Sequence, residues 1–123
     1  MRKQLLAAAA MALAWPAAAV ETSDFSVRST RDLVALCSGA ADQELYVEAQ
    51  QFCYGFVAGV AQLHRTLVQS GTIKPLACPQ YEVTREAMVE VFLDWTRAHP
   101  GAADTMPAES VAQAAVAKWP CGG

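Results

Sequence analysis

The sequence contains few of the residues from which enzyme and metal sites are usually built. It has only two histidines, His64 and His99, and it has no Cys-x-x-Cys pair that could complete a metal site with them. No serine stands in a Gly-x-Ser-x-Gly motif, and no histidine has a nucleophile beside it in the chain. We therefore predict a protein that is not an enzyme and that holds no metal or cofactor.

The sequence has no apolar run long enough to span a membrane. The apolar run near its start has the features of an export signal. Arg2 and Lys3 precede an apolar run over residues 5–15, which Pro16 and three alanines follow. This order is typical of a secretory signal, and the run is shorter than the ~20 residues that a membrane-spanning helix needs. We expect cleavage after Ala19, which removes residues 1–19 and releases residues 20–123 into the periplasm as one domain without a membrane anchor.

Basic residues are scarce in the domain that remains after the expected cleavage. The whole chain has 9 Lys+Arg and 12 Asp+Glu, and two of the basic residues, Arg2 and Lys3, lie in the signal. The domain therefore has five more acidic than basic residues. This balance argues against a nucleic-acid partner, because phosphates are bound by clustered lysine and arginine. It favours a basic protein partner.

Four cysteines follow the expected cleavage site, namely Cys37, Cys53, Cys78 and Cys121. An even number of cysteines in an exported chain predicts two disulfides. Three pairings are open, and we favour Cys37–Cys53 with Cys78–Cys121 because each joins neighbours in chain order. Each bridge would restrict the unfolded chain by roughly 3 to 4 kcal/mol in the chain-entropy model.

Apolar residues at steps of three and four predict helices in the first half of the domain. Ser29 and Asp32 form a capping-box pattern at the start of a first helix, which Gly39 ends. The second helix is expected to run from Asp42, its N-cap, to Gln69, where Gly71 follows. Its predicted buried stripe consists of Leu45, Ala49, Phe52, Phe56, Val60, Leu63 and Leu67, and Cys53, Val57 and Val68 widen the stripe on one side.

Two further helices follow a linker that contains two prolines. Thr84 is the predicted cap of a third helix that runs to about Ala98, and a fourth helix begins near Pro107. The predicted inner face of the fourth helix consists of Ala108, Val111, Ala112, Ala115 and Val116. No segment shows sustained period-two alternation, so the fold class is all-α, a compact bundle of about four helices with two disulfides.

Three residues of the second helix have more than one interpretation. Gly55 and Gly59 form a pair of small residues four positions apart, which allows close packing of another helix of the domain or of a second subunit. We favour packing within the domain. Tyr54 lies on the polar side of the helix, where the linker could half cover it or an interface could use it.

Acidic residues recur at every fourth position along the third helix, at Glu82, Glu86, Glu90 and Asp94. Like charges at this spacing repel each other, so the row needs an explanation. The more ordinary explanation is a solvated face. The alternative is a docking surface for a cationic partner, whose approach the charges would steer.

The cysteine framework and the motifs around it resemble the Rap/Tai family of type VI secretion amidase-immunity proteins. In that family a cysteine precedes spaced glycines in a long helix, a Cys-Pro precedes the third helix, His-Pro follows it, and Pro-Cys ends the chain. The corresponding residues here are Cys53, Gly55, Gly59, Cys78, Pro79, His99, Pro100, Pro120 and Cys121. The match covers nearly all of the expected mature chain.

The resemblance implies a periplasmic helical protein, often dimeric, that binds a secreted peptidoglycan amidase and occludes its cleft by stoichiometric binding. The protein partner would be the cognate amidase effector. The chain would also associate with a second copy of itself as a homodimer. Contact residues do not carry over from the family, because the contacting loops vary. Our partner-binding candidates are therefore acidic residues of the third helix and of the segment before the fourth, namely Glu86, Glu90, Asp94, Asp104 and Glu109.

Two alternatives to an immunity protein stay open at this point. One is a small periplasmic stress chaperone similar to HdeA, which would loosen and expose apolar surface below about pH 3, where carboxylates are protonated. The other is a stand-alone helical domain without a toxin partner. A domain that stays compact at low pH would argue against the chaperone.

Overall fold

Four α-helices form the domain in the computed structural model, which describes residues 19–122. The signal segment predicted for residues 1–19 lies, except for Ala19, outside the described residues. The helices are α1 (Thr30–Cys37), α2 (Tyr46–Gln69), α3 (Arg85–Ala98) and α4 (Pro107–Lys118), and two 3-10 turns, Thr22–Ser26 and Pro100–Ala102, complete the secondary structure. The described residues contain no strand, and the predicted all-α bundle with two disulfides is confirmed.

Side-chain caps set the starts of α1 and α3. The Ser29 hydroxyl accepts a hydrogen bond from the Asp32 amide, and the Asp32 carboxylate accepts one from the Ser29 amide, which is the predicted capping box. The Thr84 hydroxyl accepts a hydrogen bond from the Ala87 amide at the start of α3. Both caps satisfy amides that have no partner within their own helix.

The predicted start of α2 at Asp42 is wrong, because the helix begins at Tyr46. Leu45 adopts a left-handed conformation with φ 64° immediately before the first helical residue, so the right-handed helix does not extend back through it. The predicted end is confirmed. Gly71 has φ 75°, and its amide donates to the Val68 carbonyl while the next amide donates to the Leu67 carbonyl, a Schellman motif that favours glycine at this position.

The core lies where all four helices meet, and α4 contributes Val111 and Ala114 to it. Its fully buried side chains include Leu33 and Leu36 from α1, Val57 from α2 and Phe92 from α3. Val20, which precedes all of the helices, is also buried in this core. Every buried side-chain nitrogen or oxygen within residues 19–122 has a hydrogen-bond partner. No helix in this part of the chain is long and apolar enough to cross a membrane.

Both favoured disulfide pairings are confirmed. Cys37–Cys53 joins the end of α1 to α2 inside the core, with its Cα atoms 5.2 Å apart. Cys78–Cys121 joins the linker between α2 and α3 to the segment after α4, and the Cys78 amide donates to the Trp119 carbonyl beside it at 2.8 Å. One bridge therefore joins α1 to α2, and the other joins the linker before α3 to the C-terminal segment.

The buried face of α2 differs from the predicted stripe. Ala49, Cys53 and Val57 are buried, whereas Phe52 is 38% exposed and Leu63 is 61% exposed. Cys53 and Val57 belong to the side on which the predicted stripe is widened, so the buried face of α2 is the predicted one shifted toward that side. The rotation follows from the bridge to Cys37, because the disulfide fixes Cys53 against α1.

The inner face of α4 is also shifted from the prediction. Pro107, Ser110, Val111 and Ala114 are buried, while Ala108 and Val116 of the predicted face are exposed. The predicted beginning of the helix at Pro107 is confirmed. Ser110 occupies a core position because its hydroxyl has hydrogen-bond partners inside the domain.

Candidate partner-binding site

The connection between α3 and α4, residues 99–106, is held against the start of α1; we call it the α3–α4 loop. The Thr30 amide donates to the Thr105 carbonyl at 2.9 Å, and the Arg31 amide donates to the Ala103 carbonyl at 3.0 Å. These are the first two amides of α1, which have no acceptor within their own helix. The carbonyls of the loop supply those acceptors, so the loop is itself part of the cap of α1.

Three hydroxyls lie behind the loop and fix it further. The Thr30 hydroxyl donates to the Thr105 carbonyl, and the Thr105 hydroxyl donates to the Ala102 carbonyl. The Ser110 hydroxyl lies 2.7 Å from the Thr30 hydroxyl and 3.0 Å from that of Thr105, so it donates to one of them. Thr30 and Ser110 are almost completely buried. These hydrogen bonds hold α1, the loop and α4 in one geometry.

The fixed loop presents an exposed surface made of Asp104, Met106 and Glu109, which we call the loop surface. The Met106 side chain is 64% exposed, and both carboxylates face solvent. Arg31 of α1 forms an exposed salt bridge with Asp104 at 3.2 Å. An exposed methionine between two carboxylates, on a backbone held by hydrogen bonds to α1, can bind an apolar and basic patch of another protein.

The other three predicted contact residues, Glu86, Glu90 and Asp94, lie on the exposed side of α3. Arg85 donates a hydrogen bond to Glu86 at 2.8 Å, which lowers the pKa of Glu86 below its ordinary value. Arg97 pairs with Asp94 one turn away. Glu90 has no salt bridge within residues 19–122. Because Glu86 and Asp94 are each paired with an arginine of α3, the charge of this acidic row is partly neutralised by its own helix.

The five predicted residues form two sets in the structure. Asp104 and Glu109 belong to the loop surface, whereas Glu86, Glu90 and Asp94 lie on the surface of α3. No hydrogen bond or salt bridge of the described part of the chain links the two sets. Met106 was not predicted, although it lies between the two residues of the first set.

Tyr54, Gly55 and Gly59, the three residues of α2 with more than one interpretation, differ in their exposure to solvent. Tyr54 is half-buried, and the guanidinium of Arg85, the first residue of α3, stacks over its ring at 4.6 Å from the ring centre. Gly55 and Gly59 are exposed, and a Cβ atom built on either would meet nothing within 4 Å. Close packing of these glycines within the domain, the interpretation we favoured, is therefore wrong.

Both histidines contact the backbone of the domain. His64 Nε2 accepts a hydrogen bond from the Leu76 amide at 3.0 Å and so fixes the linker to α2. His99 stacks on Trp95, and its Nδ1 lies 2.7 Å from the Trp95 carbonyl at the end of α3. Within residues 19–122 no group of three or more His, Cys, Asp or Glu side chains is arranged to hold a metal ion.

An open groove of about 780 Å³ runs between the C-terminal half of α2, the linker and α4. Its walls are mainly apolar and include Val57, Val60, Val111 and Trp119. Tyr81 lies at its edge, where its hydroxyl accepts a hydrogen bond from the Trp119 indole at 2.8 Å. Sequence periodicity does not indicate this groove. The groove forms where the linker packs beside α2 and α4, and periodicity describes only single helices.

Replacing Thr30 with valine tests whether the hydroxyl cluster holds the loop. Valine keeps the shape of the side chain but removes the donor to the Thr105 carbonyl and a partner of the Ser110 hydroxyl. We expect the free energy of unfolding to fall by about 1–3 kcal/mol, measured by urea denaturation. The same change at Thr66, which is exposed on α2, is expected to stay within about 0.5 kcal/mol. Equal effects at the two sites would contradict the role of the cluster.

Comparison with known protein families gives one match. The sequence model of the Rap1a immunity proteins matches residues 29–121. The matched region begins at the N-cap of α1, contains all four helices and ends at Cys121, the last cysteine of the second disulfide. No curated protein and no solved structure matches the chain.

Proposed function

The chain belongs to the Rap1a immunity protein family, and from this premise we propose that it neutralises a secreted peptidoglycan amidase effector by binding to it one to one. Membership of the family gives the general function, which is immunity against an effector protein. The amidase and the occlusion of its cleft are our proposal. The protein would inhibit as long as it stays bound and would carry out no reaction of its own.

The loop surface is the observation that carries this proposal. Two backbone hydrogen bonds to α1 and a buried hydroxyl cluster fix the loop before any partner arrives. A surface that is already ordered loses little conformational freedom on binding, so more of the contact energy appears as affinity. Met106 supplies an apolar anchor in its centre, and Asp104 and Glu109 supply polar contacts at its edge.

The charge of the domain supports a basic surface on the amidase. The described part of the chain contains all 12 acidic residues of the sequence but lacks Arg2 and Lys3. Glu90 on α3 and Glu109 on α4 form no salt bridge in this part of the chain, so their charges are available to a partner. Complementary charge would raise the association rate, and added salt would lower it.

Export to the periplasm is part of the proposal. Disulfides form and persist in oxidising compartments, and both bridges are present here. Val20, the first residue after the expected cleavage site, packs in the core and so marks the start of the folded domain. Cleavage after Ala19 would leave that core complete. Mass spectrometry of protein recovered from the periplasm should therefore find an N-terminus at Val20.

The central experiment measures binding between the mature protein and the product of the reading frame beside its gene, which we expect to be a peptidoglycan amidase. We expect a 1:1 complex by calorimetry and loss of amidase activity at one equivalent. Met106→Ala should raise the Kd roughly tenfold or more, because a buried interface anchor contributes more than 1 kcal/mol. Val47→Ala is the matched control, since Val47 is 65% exposed but lies at the start of α2.

Three outcomes would contradict the proposal or a part of it. Absence of binding to the amidase would remove the proposed partner. Binding that leaves amidase activity unchanged at saturation would show that the cleft stays open. If Met106→Ala and Val47→Ala both leave the Kd unchanged, the amidase contacts another surface and the loop surface is wrong.

The proposal includes a homodimer, which the family resemblance implies. Two chains in one assembly would present two loop surfaces and could bind two amidase molecules. The loop surface is complete within one chain, because its supporting contacts come from α1, the loop and α4. Inhibition therefore does not depend on the dimer, and each can be tested without the other.

A further inference from the structure

The two methionines that the structure describes, Met88 and Met106, differ greatly in their exposure to solvent. Met88 packs in the core and is 8% exposed, whereas Met106 is 64% exposed at the centre of the loop surface. An oxidant in solution therefore reaches the side chain of Met106 in the folded protein. It reaches that of Met88 only when the core opens.

Within residues 19–122 no thiol competes with Met106 for an oxidant. Cysteine thiols and methionine thioethers are the sulfur groups that oxidants modify in proteins. All four cysteines are paired in the two disulfides, so this part of the chain has no free cysteine. Met106 is therefore the one accessible, reduced sulfur among the described residues.

We propose that Met106 is a modification site, at which hydrogen peroxide oxidises the free protein to methionine sulfoxide, and that this change weakens binding of the partner to the loop surface. The effect on the partner rests on the proposed function, whereas the oxidation of Met106 does not. The loop surface would then bind its partner only while its central sulfur is reduced.

The reaction needs only the peroxide and the Met106 side chain. A lone pair of the sulfur attacks one peroxide oxygen, a sulfur–oxygen bond forms, and the oxygen–oxygen bond breaks. The sulfur loses two electrons, and the second oxygen takes up the proton of the transferred one and leaves as water. Hydrogen peroxide carries no charge, so the exposed carboxylates of Asp104 and Glu109 on the same surface do not repel it.

Oxidation should change the loop surface without changing the fold. The Met106 carbonyl accepts a hydrogen bond from the Ser110 amide at 3.2 Å, and the Thr105 carbonyl accepts one from the Thr30 amide at 2.9 Å. Neither bond involves the Met106 side chain. The sulfoxide oxygen places a polar group where the thioether supplied the apolar anchor. Burial of a polar group in a contact shaped for an apolar one weakens binding.

The first experiment treats the mature protein with hydrogen peroxide and needs no partner. Trypsin cuts after Arg97, which lies between the two methionines, so each falls in its own peptide. Mass spectrometry should find that Met106 gains one oxygen roughly ten times faster than Met88, or more. In urea, where the chain is unfolded, the two rates should become similar. Equal rates in the folded protein, or a Met106 that stays unmodified, would overturn the site.

The second experiment measures the Kd for the proposed amidase by calorimetry, before and after peroxide treatment of this protein alone. Catalase removes the peroxide before the amidase is added. Oxidation should raise the Kd roughly tenfold or more. Met88→Leu retains Met106 and should retain this response, whereas Met106→Leu has no sulfur at the loop surface, so its Kd should be the same with and without treatment. The urea midpoint of the oxidised protein should equal that of the untreated protein.

The outcomes separate the modification from the proposed function. A Kd that oxidation of Met106 leaves unchanged would overturn the effect on the partner. A response that persists in Met106→Leu, or a lowered urea midpoint, would also overturn it, because the change would then act at another position or through the fold. If the untreated protein does not bind the amidase, the proposed function fails and the effect on binding fails with it. The peptide masses still decide whether Met106 is modified.

Discussion

Replacing Cys78 and Cys121 together with serine is expected to lower the free energy of unfolding by about 4 kcal/mol. The bridge closes a loop of 43 residues, and in the chain-entropy model a loop of this length restricts the unfolded chain by about that amount. Small domains have a net stability of roughly 5–15 kcal/mol, so the loss is a large fraction of the total. Guanidinium denaturation of the variant and of the oxidised wild type measures the difference.

Two comparisons make the disulfide prediction specific. Dithiothreitol should lower the free energy of unfolding of the wild type by reducing the Cys78–Cys121 bridge. The serine variant lacks this bridge and should not show that part of the loss. If the proposed amidase is the partner, the variant should keep the wild-type affinity for it under conditions where it is folded, because α1 and the hydroxyl cluster hold the loop surface and the bridge does not touch it. A loss of less than about 1 kcal/mol would show that other contacts already hold the linker to the C-terminal segment.

Phe92→Ala is expected to lower the free energy of unfolding by about 3–5 kcal/mol, measured by the same denaturation. Phe92 is 0% exposed and is the largest fully buried side chain among the described residues, so truncation leaves a cavity that the surrounding helices cannot close. The control is Phe52→Ala, which removes the same atoms from a side chain that is 38% exposed. We expect about 1 kcal/mol or less for the control, measured with the protein as a monomer.

The two phenylalanine variants distinguish between the core seen in the structure and the core predicted from the sequence. The sequence periodicity placed Phe52 on the buried stripe of α2, and the structure places it outside. Similar losses for Phe92→Ala and Phe52→Ala would indicate that α2 is rotated toward the stripe predicted from the sequence. A large difference supports the rotation described for the structure.

Helix boundaries could be predicted wherever a side chain sets them. Ser29, Thr84 and Pro107 lie at the starts of α1, α3 and α4 as expected, because capping and the fixed φ of proline are local properties. Asp42 failed as a cap for α2. There the chain turns through a left-handed Leu45, a conformation that a leucine does not indicate in the sequence.

The rotation of α2 could not be predicted from periodicity. Apolar residues on this helix cover more of its circumference than one core contact uses, so the pattern defines a range of faces rather than one. The disulfide between Cys37 and Cys53 selects the face, and it does so through a contact between two helices. The sequence allowed three pairings of the cysteines and favoured this one only by chain order.

The candidate site could be predicted only in part. The charge of Asp104 and Glu109 predicts their role in binding, which stays a prediction; both are exposed, Asp104 within the α3–α4 loop and Glu109 in the first turn of α4. Met106 and the hydroxyls behind the loop were missed. The hydrogen bonds between Thr30 and Ser110 or Thr105 connect residues 80 and 75 positions apart, and no local pattern encodes such contacts.

The capping of α1 by the α3–α4 loop has a consequence for how such a protein can acquire a new target. The acceptors for the Thr30 and Arg31 amides are the carbonyls of residues 105 and 103, which every amino acid possesses. Outward side chains of the loop can therefore be exchanged by mutation while the framework keeps these bonds. Descendants of one ancestral chain can diverge in the toxin that they recognise without first losing their fold.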